Sequence, residues 1–131
     1  EAILLAGSDA QKAAYLPRLA KGELIGAFAY SEGGGQLLPG QMKTTFAKGK
    51  LSGTKIPVVD GMVAGAALVV ARESGKDAPP CLVLADLGHK SITRRRVNGI
   101  DRTRHLAQLD FKETPAEVLC GGPKAAVPKP K

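Results

Sequence analysis

The chain has 131 residues, a mass of 13.6 kDa and 44 % apolar residues, enough for one domain with a real core. Sixteen glycines and nine prolines against five aromatic residues and no Trp point to many turns and a core of Val, Leu and Ala, which leans towards β structure. Lys and Arg outnumber Asp and Glu by 19 to 12, and the resulting net charge of +7 favours an anionic partner, whether a phosphate-bearing cofactor, nucleic acid or a membrane surface.

From Glu1 to about Lys21 the apolar positions Ile3, Leu4 and Leu5, then Ala13, Ala14, Tyr15, Leu16 and Leu19, are interrupted by Gly7-Ser8-Asp9. Gly7 fits a helix end, Ser8 or Asp9 an N-cap and Gln11 a polar first-turn residue, so one short helix stops and another starts. Pro17 falls near the end of the second or kinks it. After Gly22 the texture changes to short apolar runs punctuated by Gly and Pro: "LIGAFAY", "TTFAKGKLSGTKIPVV", "GAALVVAR", "CLVLAD", "SITRRRVNG" and "LAQLDF". In the last of these Ala107, Leu109 and Phe111 face one way and Leu106, Gln108 and Asp110 the other, the period of a half-buried strand. "AKGKLSG" supplies a tight hairpin. Five or six strands with no long helical pattern between them predict a mainly β fold, an antiparallel sandwich or barrel preceded by one or two short helices. The ending "GPKAAVPKPK", with Lys124, Lys129 and Lys131, reads as a solvated tail or linker.

Chemistry-bearing patterns are sparse. His89 and His105 have no Ser or Cys in a nucleophile-elbow context, Gly-x-Ser-x-Gly is absent, and His, Cys and acidic residues do not cluster at ligand spacing, so neither hydrolase catalysis nor a metal is expected. Cys81 and Cys120 permit at most one intrachain disulfide and read as partly buried thiols. Arg94, Arg95, Arg96, Arg102 and Arg104 concentrate positive charge, but no aromatic residue lies between Leu82 and Asp110 to stack on bases, and alternate strand residues face opposite ways. Phosphate contact or intersubunit salt bridging is expected of them rather than nucleic acid binding. The longest apolar run, Met62 to Ala71, is too short to span a bilayer, and no leader-like stretch opens the chain, so a cytoplasmic location without membrane contact is expected. The triple glycine Gly33-Gly34-Gly35 matches no phosphate-loop pattern and leaves two readings, a slack turn or a backbone that approaches a ligand closely.

Three blocks in order, "GSDAQKAAYLPRLAKGELIGAFAYSE", "LSGTKIPVVDGMVAGAALVVAR" and "DRTRHLAQLDFKETPAEVLCG", resemble the acyl-CoA dehydrogenase family over Leu4 to Gly121. The resemblance is to the middle domain with the last helices of the N-terminal domain. It implies residues 1–23 as a remnant of a helical domain, 24–121 as a small antiparallel β-barrel and 122–131 as a tail. It also implies a parent flavoprotein holding FAD that removes two hydrogens from an acyl-CoA, a hydride leaving the β-carbon for the flavin while a carboxylate takes the α-proton. Phe28, Tyr30, Ser31, Glu32, Gly33, Gly34 and Gly35 would lie along the flavin, with Ser31 bonding it through its N–H and hydroxyl, and Pro57, Val58 and Val59 would cover its other side. The catalytic carboxylate is implied to lie in a C-terminal helical domain, so this chain carries no catalytic residue and is expected to be inactive alone. It reads as a fragment or excised domain, completed by its own missing domains or by a partner subunit in a homo- or hetero-oligomer.

The chain departs from the family pattern at two places. The Ser and Asp that commonly follow the glycines are replaced by Gln36-Leu37-Leu38, and Trp-Ile-Thr is replaced by Pro57-Val58-Val59. Val58-Val59-Asp60-Gly61 and the run Asp101 to Ala107 resemble a divergent actinobacterial-type subgroup, in which a structural barrel supporting a flavin-binding partner is the alternative role. A third reading, from the charge alone, is a basic polyanion-binding module.

Overall fold

The computed structural model describes residues 1–35, 38–74 and 78–119, so Cys120 and the tail at 122–131 lie outside the described residues. Two short helices open it. α1 (Ala2–Ala6) ends where the Gly7 N–H donates to Ile3 O at 2.8 Å. α2 (Asp9–Ala20) starts on a reciprocal capping box, the Gln11 N–H donating to Ser8 Oγ at 3.2 Å and the Ser8 N–H to Gln11 Oε1 at 3.0 Å. Pro17 sits inside the last turns of α2, and the helix ends at Ala20. Gln11 also ties the helix to residues 117 and 118, its Nε2 donating to Val118 O at 3.1 Å and Glu117 Oε2 at 3.2 Å.

Among the described residues seven strands follow: β1 (Gly26–Ala29), β2 (Thr45–Ala47), β3 (Lys50–Val59), β4 (Ala66–Glu73), β5 (Pro80–Asp86), β6 (Ile92–Val97) and β7 (Leu106–Val118). The pairings run β4–β2–β3–β7–β5 and return from β5 to β4, which closes the expected barrel; β1 lies against β4 and β6 against β7. Most pairings are antiparallel as expected, but β1–β4 and β2–β4 are parallel. The cause is the route of the chain: β1 lies against residues 66–69 of β4 and β2 against 72–73, so the connection between them advances along one edge without reversing.

The expected hairpin joins β2 to β3 through Lys48 and Gly49, both at positive φ (51° and 76°), the mirror-image turn whose twist matches that of paired strands. β7 begins with the predicted alternation, Ala107, Leu109 and Phe111 buried. Its phase then slips at Lys112-Glu113, where Glu113 adopts φ 48°. That bulge lets one strand serve two neighbours, β6 before it and β5 after it, while β3 shifts register opposite at Leu51 to Gly53. The barrel interior is filled by Leu51, Val58, Val69, Val83, Leu109 and Phe111 with alanines between them. Each large side chain contributes about 1.5–3 kcal/mol by leaving water. Among the described residues no helix is long and apolar enough to cross a membrane.

Candidate functional site

The glycine-rich stretch and the end of β3 meet although more than twenty residues separate them. After β1 the chain continues as a lip beside β3: Ile56 N–H donates to Ser31 O at 2.8 Å and Gly33 N–H to Ile56 O at 2.9 Å, which makes Glu32 a parallel partner of Ile56. Ser31 Oγ donates back to Gly33 O at 3.2 Å. Gly33 and Gly35 have φ of 124° and 99°, and a Cβ on Gly33, Gly34 or Gly35 would meet no atom within 4 Å. The run therefore turns through conformations that side chains disfavour, with open space beside its main chain.

Phe28 (57 % exposed) and Tyr30 (44 %) lead into this lip along the chain, Val59 (41 %) follows Ile56 by three residues, and Phe28 also lines a concavity with Ile3, Leu16 and Leu19 of the opening helices. Pro57 is exposed as well. Val58, by contrast, is fully buried in the barrel core, so its side chain faces away from the lip's outer surface. Glu32 is also turned inward. Its Oε2 accepts the Lys43 N–H at 2.7 Å, and its Oε1 accepts the Thr44 N–H at 2.9 Å and Lys55 Nζ at 2.9 Å. Lys55, whose side chain has no exposed area, donates a second bond to Tyr30 O at 3.0 Å.

The two charges of this pair respond differently to their surroundings. Burial alone would raise the Glu32 carboxyl, yet hydrogen bonds from Thr44, Lys43 and Lys55 outweigh it and bring the pKa down to about 2. Burial lowers the Lys55 ammonium, and Glu32 restores it only in part. The difference follows from the donor count: Glu32 receives two main-chain N–H groups besides the cation, whereas Lys55 has two recorded acceptors for three donors. Lys55 and its contacts are what sequence reading missed. No local spacing links position 55 to 30 and 32.

The arginines divide by face, as the strand period requires. Arg94 points towards the barrel end, where Nη1 donates to Gly61 O, Met62 O and Ala64 O at 3.3, 3.1 and 2.8 Å and Nη2 donates to Leu87 O. It thus donates to main-chain carbonyls of the β3–β4 and β5–β6 loops. Arg95 lies 3.5 Å from Asp110 in the same chain. Arg96, Arg102 and Arg104 line an open concavity of about 410 Å³ on the β6–β7 loop. His89 Nδ1 lies 2.8 Å from Ser91 Oγ, which lies 2.8 Å from Thr114 Oγ1. The Ser91 N–H also points at His89 Nδ1 at 3.2 Å, so this is a turn closed by a side chain. No metal-holding group occurs among the described residues.

No protein-family model matches the sequence. Solved structures do match its fold. An acyl-CoA dehydrogenase from Geobacillus kaustophilus superposes with a TM-score of 0.79 at 22 % identity, over 92 % of this chain and 35 % of its own. The butyryl-CoA dehydrogenase of Megasphaera elsdenii gives 0.77 at 20 % identity, over 94 % and 35 %. A glutaryl-CoA dehydrogenase from Mycobacterium smegmatis, solved in complex with FADH2, gives 0.72 at 23 % identity, over 92 % and 33 %. This chain spans about a third of the length of each. Two helices leading into a closed barrel are therefore a fold this chain shares with acyl-CoA dehydrogenases over about a third of their length.

Proposed function

We propose that this chain is the middle, flavin-facing barrel of an FAD-dependent acyl-CoA dehydrogenase, with residues 1–23 as the end of a preceding helical domain and 24–121 as the barrel. The observation that carries the reading is the lip itself, an open-sided glycine run flanked by exposed Phe28, Tyr30 and Val59 and braced against β3. These features fit a planar, partly apolar ring system with polar edges. The Ser31 N–H has no protein acceptor among the described residues, and Ser31 Oγ bonds only locally, so both remain available to a ring heteroatom. Phe28, Tyr30 and the main chain of Gly33 to Gly35 would line one side, and Pro57 and Val59 the adjoining side. Glu32 and Val58 act from beneath, through the lip's support and the core. Bound FAD would supply hydride acceptance during α,β-dehydrogenation of an acyl-CoA thioester.

This chain's residues bind and orient. In this reading they shield one side of the reaction plane from water, and the carboxylate that takes the substrate's proton belongs to a further helical domain. Holding a donor carbon and an acceptor in van der Waals reach needs a second wall. The isolated chain is accordingly inactive in this reading, and helical domains of the same polypeptide or of a partner subunit complete the pocket. The test is the flavin absorbance of the purified full-length polypeptide that contains this segment. Yellow protein releasing FAD on unfolding supports the reading. A parent that is colourless alone and turns yellow only when co-expressed with a second subunit supports the structural-barrel role instead.

The concavity beside Arg96, Arg102 and Arg104 favours a second reading, a polyanion-binding surface. It predicts binding to heparin or nucleic acid that weakens steeply with salt, and absent or salt-insensitive binding removes it.

A further inference from the structure

Lys55 is the largest fully buried side chain among the described residues, beside a barrel core made of apolar groups. A methionine would fill similar space without the cost of desolvating a charge. What the lysine adds is direction. Its ammonium holds Tyr30 O at 3.0 Å, and in a trans peptide the carbonyl and the following N–H point opposite ways. Drawing Tyr30 O inward therefore aims the Ser31 N–H outward, to the open side of the lip. Glu32 keeps the ammonium in place at 2.9 Å and is itself anchored by the main chain of Lys43 and Thr44. Three segments, at 30–32, 43–44 and 55, converge on this one ion pair. β1 proper ends at Ala29, and beyond it two main-chain bonds to Ile56 tie the lip to β3.

We infer that Lys55, seated by Glu32, is a positioning residue that sets the peptide plane between Tyr30 and Ser31 and so presents the Ser31 N–H to the bound ring. The identity of that ring rests on the flavin reading; the orientation of the peptide does not. Two variants test it. Lys55→Met keeps the volume and removes the donors. The double variant Lys55→Met with Glu32→Gln also removes the carboxylate that would otherwise be left uncompensated, which guards against simple unfolding.

In the 131-residue chain, amide hydrogen exchange at Gly33 and Ile56 should accelerate roughly tenfold or more in both variants, while the β4–β5 ladder keeps its protection. In the full-length polypeptide the double variant should release FAD with a dissociation constant raised roughly tenfold or more, the range expected when an oriented donor is lost. Unchanged exchange at Gly33 and Ile56 would overturn the inference. So would altered exchange with unaltered FAD affinity, which would make the pair a fold element alone. If the unsubstituted full-length polypeptide binds no FAD, the flavin reading falls, and the exchange result still decides whether Lys55 orients the lip.

Discussion

Glu32 and Lys55 are held by unequal sets of partners, and the inequality governs how the protein meets acid. The Glu32 carboxyl is lowered from its ordinary 4.5 to about 2 in the folded chain. A depressed carboxyl contributes stability that is present above its unfolded value and lost as pH falls through the folded one. Stability should thus drop between pH 4.5 and about 2, by on the order of 2–3 kcal/mol from this group. Far-UV circular dichroism of urea unfolding at stepped pH checks it, and Glu32→Gln should flatten the slope in that window. Arg94 makes a second prediction. Its guanidinium joins four carbonyls, and Arg94→Ala leaves several without donors at about 1–3 kcal/mol for the set, whereas Arg94→Lys recovers only part because an ammonium lacks the planar fork. The midpoint of urea unfolding should order the three proteins wild type, Lys, Ala.

At the scale of elements, the barrel depends on places where strands bend. Gly53 lies in the register shift of β3 at φ 141°, and a Cβ there would fall 2.7 Å from Thr44 Cα, a main-chain neighbour that cannot swing away. Gly53→Ala should therefore cost more than about 2 kcal/mol in thermal or urea unfolding, through strain and overpacking together. Gly34→Ala, with no positive φ and open space, should stay within about 0.5 kcal/mol of wild type. Most elements were legible in the sequence because their signals are local. Ser8 with Gln11 marks the helix start, Lys48-Gly49 the hairpin, and Ala107, Leu109 and Phe111 the inward face of β7. β7 runs beyond the expected "LAQLDF", through Pro115 to Val118, because the slip at Glu113 hides the alternation from a period-two count. The parallel pairings of β4 and the inward turn of Glu32 and Val58 depend on what lies across the barrel, where local pattern is silent.

For the whole molecule, two properties remain unspent on the barrel's own stability. One is apolar surface at Phe28, Tyr30 and Val59 around the lip; the other is the outward Ser31 N–H that Lys55 holds in place. Both are accounted for if a ring system and further helical walls cover that side, and the same fold occurs as a third of longer dehydrogenases. The most direct measurement is the visible spectrum of the full-length polypeptide carrying this segment, purified with FAD present and then stripped by denaturation. Stoichiometric flavin in the wild type, sharply reduced in Lys55→Met with Glu32→Gln although the protein remains folded, is the expected result. A folded wild-type polypeptide that stays colourless at saturating FAD, alone and with any co-purifying subunit, would contradict it.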